Sequence, residues 1–207
     1  QMILLIEDNI RFYSSILPSL YKFVLQQSLE FATEALNTTL ETLRMRGRPK
    51  IVLARNYEEA WDIFERFGYN ALGVISDCKF PMHFVKGANP KEEEKDEDAG
   101  FKLFKSIRER DPYVPLILDS SEENNCAKAW ECGYHFINKN SKKMEQDLRE
   151  VLRMYLGFGD FVFRDPATRE EVVRVHNLRD LQNQILTVPS ESLLWHIQRN
   201  NISRWLS

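Results

Sequence analysis

Five residues of this chain stand where chemistry could be done, each just after a short apolar run. Glu7 and Asp8 follow Met2 to Ile6, and Asp77 follows Leu72 to Ser76 within LGVISDCKFP. Ser120 comes after Val114 to Leu118, and Lys139 after Tyr134 to Asn138. Runs of this length read as buried strands. In an open α/β sheet, sites form outside the carboxyl ends of the strands. Each residue also has a plain structural reading. The acidic pair could cap a helix, Asp77 could cap the segment after it, Ser120 could start a turn, and Lys139 could be solvated. Together they make one device. Three carboxylates in a small volume repel each other unless a hard cation sits among them, and Mg²⁺ prefers carboxylates and water. A cation there lets a carboxylate attack a phosphoryl donor despite like charge. A lysine adds a compact positive charge for the phosphoryl oxygens, and a hydroxyl adds a donor. The set points to Asp77 as a phosphoryl acceptor working with Mg²⁺.

The elements that must position these residues follow in order. The strand Met2 to Ile6 leads through Asn9 into a long helix with apolar residues from Phe12 to Leu43, stopped by Gly47-Arg48-Pro49, with Pro18 expected to kink it or mark an early irregularity. About 36 helical residues would span ~54 Å, more than one sheet needs. The excess, Leu29 to Met45, is expected to be an arm that packs on something, with a homodimer through this helix favoured over folding back. Ile51 to Ala54 is a strand and Tyr57 to Phe67 a helix ended by Gly68. After Pro81 an irregular segment, Met82 to Asp98, carries KEEEKDED at Lys91 to Asp98, with two positive and six negative residues. It reads either as a solvated loop or as a gate over the Asp77 strand end. Helices are expected over Ala99 to Arg110, Glu123 to Cys132 and Ser141 to Leu156. Five strands alternating with five helices predict a parallel sheet covered on both faces. From Gly159 the character changes to a hairpin, Phe161 to Arg164 with Val172 to Val175. Short helices then follow near Leu178 to Leu186, Ser190 to Gln198 and Ile202 onward.

Composition narrows the function. The 207 residues carry a formal charge of −3, which argues against nonspecific binding to nucleic acid or a membrane surface. No apolar run approaches the ~18 residues of a membrane span. Cys78, Cys126 and Cys132 form no CxxC pair, which fits a reducing compartment rather than a disulfide framework or zinc site. From Phe158 to Ser207 there are six Arg, no Lys and six acidic residues, not the basic face of a DNA reader. His176 and His196 read as structural. Trp195, His196, Arg199, Trp205 and Leu206 look like a packing or partner surface. The opening QMILLIEDN and the closing RWLS suggest a piece of a longer protein.

LLIEDN, VISDCKFP, AGFKLFKSIRERDPYVPLILDSS and AWECGYHFINKN, in that order, resemble the receiver domain of two-component response regulators over roughly Met2 to Leu156. The resemblance implies a flavodoxin-like (CheY-like) α/β fold: a doubly wound five-stranded parallel sheet with an extended first helix. A receiver domain over 1–157 would be followed by a small C-terminal α+β appendage over 158–207. It implies Asp77 as phospho-acceptor and Glu7, Asp8, Asp77 and the backbone carbonyl of Lys79 as Mg²⁺ ligands. Ser120 becomes the switch hydroxyl, Lys139 the lysine that contacts the phosphoryl group, and Phe136 the aromatic that changes rotamer with Ser120. The implied role is a cytoplasmic signalling module in a phosphorelay, not a turnover enzyme. Its partner would be a histidine kinase or phosphotransfer protein. The alternative is a pseudo-receiver that serves interaction or dimerisation with little phosphorylation.

The chain departs from that pattern in places. Asn140 stands where the family usually has Pro, Asp119 holds a normally apolar position, and Lys79 puts a cation two residues after the acceptor, where it could pair with Asp77 or reach the phosphoryl group. RMRGRPKI and the tail from GFGDFVFRDPATREE to ISRWL are also similar to the receiver-like segment of large bacterial proteins with a phosphoenolpyruvate synthase/pyruvate phosphate dikinase-like portion. The rest of such a parent would then be a partner.

Overall fold

The computed structural model describes residues 1–33, 48–83, 94–156, 160–176 and 178–206, with the backbone alone at 30–33 and 154. The chain divides into two compact units, Gln1–Arg149 and Glu150–Ser207.

The first unit is built on β1 (Met2–Ile6), β2 (Lys50–Ala54), β3 (Ala71–Asp77), β6 (Leu116–Ser120) and β7 (His135–Asn138). These pair in parallel in the order β2-β1-β3-β6-β7. This is the flavodoxin-like winding expected from the sequence, with the order reversing at β1 and β3. All five residues of β1 are buried, as are Ala71 to Ser76 of β3. Such runs are apolar throughout because both faces of a parallel sheet are covered. Leu4, Ile6, Val74 and Leu118 belong to a cluster with Ala60 and Phe64 of α2 (Tyr57–Phe67) and Leu103, Phe104 and Ile107 of α3 (Ala99–Arg110). Ile3, Leu5, Ile75 and Ile117 alternate with them and are also buried. α4 (Asn124–Glu131) and α5 (Met144–Tyr155) follow β6 and β7.

The first helix, α1 (Ile10–Thr33), is continuous through Pro18 and buries Ile16, Leu20, Phe23 and Val24 at helical spacing. Tyr21, Leu25 and Leu29 are exposed on another face. The expected arm runs to Met45, and beyond Thr33 it lies outside the described residues. So does 84–93 of the acidic segment.

β6 begins two residues later than the sequence suggested, at Leu116 rather than Val114. Pro115 has no N–H to give to a ladder. Its carbonyl still accepts the Val74 N–H at 2.9 Å, and the register starts at Val74 with Leu116. Asp119 and Ser120 therefore lie inside the strand, with Asp119 beside Asp77. A two-residue antiparallel pair, β4 (Phe80–Pro81) with β5 (Lys95–Asp96), was not expected.

The second unit carries the hairpin β8 (Phe161–Arg164) and β9 (Glu171–Val175), then α6 (Leu178–Gln184), α7 (Ser190–Gln198) and α8 (Asn201–Leu206). Phe161, Phe163, Val175, Leu181 and Val188 form its core. His196 is buried there, its Nε2 accepting the Arg164 N–H at 2.9 Å and its Nδ1 facing the Asn201 side-chain amide at 3.0 Å. Burial and the nearby arginines Arg164, Arg199 and Arg169 lower its pKa to about 4. No helix among the described residues is long and apolar enough to cross a membrane.

Gly100 fixes how closely α3 approaches the strand that ends in Asp77. A Cβ on Gly100 would lie 2.3 Å from the Asp77 carbonyl oxygen and 3.1 Å from the Cys78 Cα. The Gly100 N–H donates to the Cys78 carbonyl at 3.0 Å. Gly100→Ala is expected to cost about 1–3 kcal/mol through this overlap, lowering Tm by ~2–4 °C per kcal/mol. A thermal melt unchanged from wild type would mean that the backbone yields without strain.

Candidate functional site

The carboxyl ends of β1, β3 and β7 converge on one lysine. The Lys139 ammonium contacts Glu7 Oε2 and lies 2.9 Å from Asp77 Oδ2. Its side chain is 3% exposed, against 2% for Glu7 and 16% for Asp77. The Phe12 ring of α1 sits 4.6 Å from the same ammonium. Glu7 Oε1 accepts the Asn9 N–H at 3.0 Å, and Asp77 Oδ1 accepts the Cys78 N–H at 2.6 Å. Ligand oxygens of Glu7, Asp8 and Asp77 all lie within 4.8 Å of one another.

This donor set fits a hard divalent cation. It is all oxygen and acidic, and Asp8 Oδ1 is buried without a hydrogen-bond partner among the described residues. Asp8 Oδ2 is held by Lys95 at 2.5 Å.

Burial dominates the electrostatics. It pushes Glu7 up to about 7, against the pull of Lys139 and with the repulsion of Asp77. Asp119, 5% exposed, is raised to about 7 by burial first; Lys139 opposes the rise, and Asp77 and Glu7 add to it. Its Oδ1 also has no hydrogen-bond partner among the described residues. Lys139 is pulled down by burial, but Asp77, Asp119 and Glu7 together raise it, so it keeps its proton.

The structure thus brings Glu7, Asp8, Asp77 and Lys139 together. Ser120 and Phe136 stand apart from these ion pairs. Ser120 ends β6, 3% exposed, and its Oγ accepts from the Glu122 N–H at 3.2 Å and Asn125 Nδ2 at 3.1 Å. Phe136 pairs with Leu118 in register and packs, partly buried, on the core. The possible pairing of Lys79 with Asp77 is corrected: its ammonium is 2.9 Å from Glu97 Oε1, and both side chains are exposed. The cause is local. Glu97 is on the segment tied beside Cys78, whose thiol donates to the Glu97 carbonyl at 3.1 Å. The Lys79 carbonyl stays an implied ligand only. Sequence reasoning missed Lys95 and Gly100. A lone lysine inside an acidic run was the available signal for the first, and a small pair, Ala99-Gly100, at a helix start was the signal for the second.

No protein-family model matches this chain, and no curated protein does. Response regulator receiver domains are among the solved structures it is similar to. A receiver domain protein from Clostridium thermocellum is 19% identical, with 73% of this chain and 90% of that one covered and a TM-score of 0.44. A response regulator from Thermotoga maritima, solved in complex with Mg²⁺-BeF, is 18% identical over 74% of this chain and 96% of its own, with a TM-score of 0.40. A fusion carrying a trimeric coiled-coil piece of yeast Spc42 is 12% identical over 100% of this chain and 97% of its own, with a TM-score of 0.48.

Asp119 provides a pH test. Its folded pKa lies above its unfolded value, so its contribution is favourable below the ordinary carboxyl range and is lost as pH rises through about 7. Without divalent metal, Asp119→Asn is therefore expected to raise Tm at pH 8, by no more than ~4 kcal/mol of stability for the shift from 3.8 to about 7. The gain should shrink towards pH 5. Melts of both proteins in EDTA across pH 5–8 check this, and a pH-independent difference would contradict it.

Proposed function

We propose that the first unit is a phospho-accepting receiver module, in which Asp77 takes a phosphoryl group from a histidine kinase, a phosphotransfer protein or a small acyl phosphate. One observation carries this reading: Asp77, the most exposed of Glu7, Asp77 and Lys139, shares a buried lysine with Glu7 in a carboxylate triad whose oxygens lie close enough together to hold a metal ion. An Asp77 carboxylate oxygen attacks phosphorus, and the bond from phosphorus to the donor's leaving atom breaks, its electron pair going with the leaving group. A divalent cation, when bound by Glu7, Asp8 and Asp77, supplies positive charge that offsets the repulsion between carboxylate and phosphoryl oxygens. Lys139 keeps its proton and orients Asp77 until the transfer, then turns its charge to the phosphoryl oxygens. The Cys78 N–H holds the other Asp77 oxygen, so the carboxylate presents a fixed face. Ser120 and Phe136 would read the new charge.

A second reading, a receiver-shaped interaction module with little phosphorylation, is favoured by one observation, the seating of Lys95 on Asp8.

Incubation with acetyl phosphate and Mg²⁺, followed by intact mass, tests the two. Wild type is expected to gain about 80 Da, one phosphoryl group. The gain should vanish in EDTA and in Asp77→Asn, and Lys139→Gln should slow it by roughly ten-fold or more. Uptake that survives Asp77→Asn refutes the acceptor assignment. A wild type that takes up nothing favours the second reading.

A further inference from the structure

The acidic run contributes a cation to the carboxylate cluster. Lys95 in β5 reaches Asp8 Oδ2 at 2.5 Å, with side-chain exposures of 28% and 11%. The other ion pairs of this segment are more open. Lys79–Glu97 is 47% and 82% exposed, Lys102–Asp96 is 54% and 25%, and Lys128–Asp98 is 47% and 52%. The Lys95 pair is the one drawn into the site. Asp8 divides its oxygens: Oδ2 meets the ammonium, and Oδ1 is buried with no donor among the described residues.

We propose that Lys95 is a resident counter-cation that competes with divalent metal for Asp8, so that metal binding expels it and loosens the β4–β5 pair. This rests on the receiver reading of the site. Charge counting favours exchange over addition. When ionised, Glu7, Asp8 and Asp77 carry three negative charges, and Lys139 cancels one. The two that remain match one divalent cation. With Lys95 seated as well, the same cation would leave Glu7, Asp8, Asp77, Lys139 and Lys95 together positive, to be offset only by ionisation of Asp119 beside Asp77. A metal on Oδ1 and the ammonium on Oδ2 of the same carboxylate would also lie within roughly 5 Å of each other, where like charges repel strongly. The geometry links this exchange to the backbone. Lys95 pairs in register with Pro81 and Asp96 with Phe80, so the residue that leaves the site belongs to the strand pair that follows Asp77.

The test titrates Mn²⁺ into the full chain by calorimetry, for wild type, Lys95→Gln and Lys102→Gln. Lys102→Gln removes an equal charge from α3, where Lys102 pairs with Asp96 of the same acidic run outside the carboxylate cluster. Lys95→Gln should bind about ten-fold more tightly than wild type, while Lys102→Gln stays within about two-fold. Deuterium uptake of the peptide spanning 94–98 should rise on Mn²⁺ binding in wild type, and Lys95→Gln should show the higher uptake without metal. Equal affinities for wild type and Lys95→Gln, with unchanged uptake, would overturn the competition and leave the metal site standing. Tightening of the same size in Lys102→Gln would overturn it too, as a general charge effect. Absence of binding in all three proteins would overturn both this proposal and the metal reading of the cluster.

Discussion

The Lys139 ammonium, held between Glu7 and Asp77, is the interaction on which the site depends. A buried ammonium is costly unless carboxylates surround it, and a buried carboxylate is costly unless a cation meets it. Each element solves the other's problem. Glu7 leaves β1, Asp77 ends β3, and Lys139 follows β7, so the contact exists only if the sheet is wound in this order. β6 lies between β3 and β7, and Lys139 therefore reaches across its end, over Asp119. Breaking one side of such a pair generally costs about 3–5 kcal/mol, because the partner is left as an uncompensated buried charge. The same arrangement leaves Asp77 the most exposed of the three side chains.

One lysine does not balance this end of the sheet. Glu7 and Asp119 are both pushed up to about 7, and burial is the first cause in each. Asp119 is the sharper case. It occupies a position in β6 beside Asp77, is nearly inaccessible, and has an oxygen with no donor among the described residues. An apolar residue would pack there at no electrostatic cost. A site that accumulates carboxyl groups beyond what its lysine can offset holds protons near neutral pH or takes up cations, and either outcome lowers the repulsion around Asp77.

Much of this was legible in the sequence, because parallel strands buried on both faces are written as uninterrupted apolar runs. β1, α2, α3 and α7 fall where periodicity and punctuation put them: Asn56 caps α2 through the Glu59 N–H, and Gly68 ends it. The residues at the strand ends could be named from the chain for the same reason, since strand ends are where such runs stop. What was not legible depends on contact between distant segments. No local pattern says that Gly100 must pass within a Cβ radius of the Asp77 carbonyl, or that Lys79 turns to Glu97. The β6 start was misplaced because Val114 and Pro115 extend the apolar run while only Leu116 onward can join the ladder.

The acidic run shows how a charge pattern misleads when it is read as a net value. KEEEKDED sums to a solvated segment, yet four of its five described residues are matched: Lys95 with Asp8, Asp96 with Lys102, Glu97 with Lys79, and Asp98 with Lys128. Exposed pairs of this kind contribute little, since water and salt screen them. They set register more than stability. The segment is anchored instead by the Cys78 thiol on the Glu97 carbonyl and by the Lys95 pair, the one whose carboxylate is largely shielded from water. That places a tie of the acidic run on the candidate metal-binding carboxylates. Under the exchange proposed for Lys95, whatever occupies the cluster acts on the chain that leaves Asp77, through one ammonium and a two-residue strand pair.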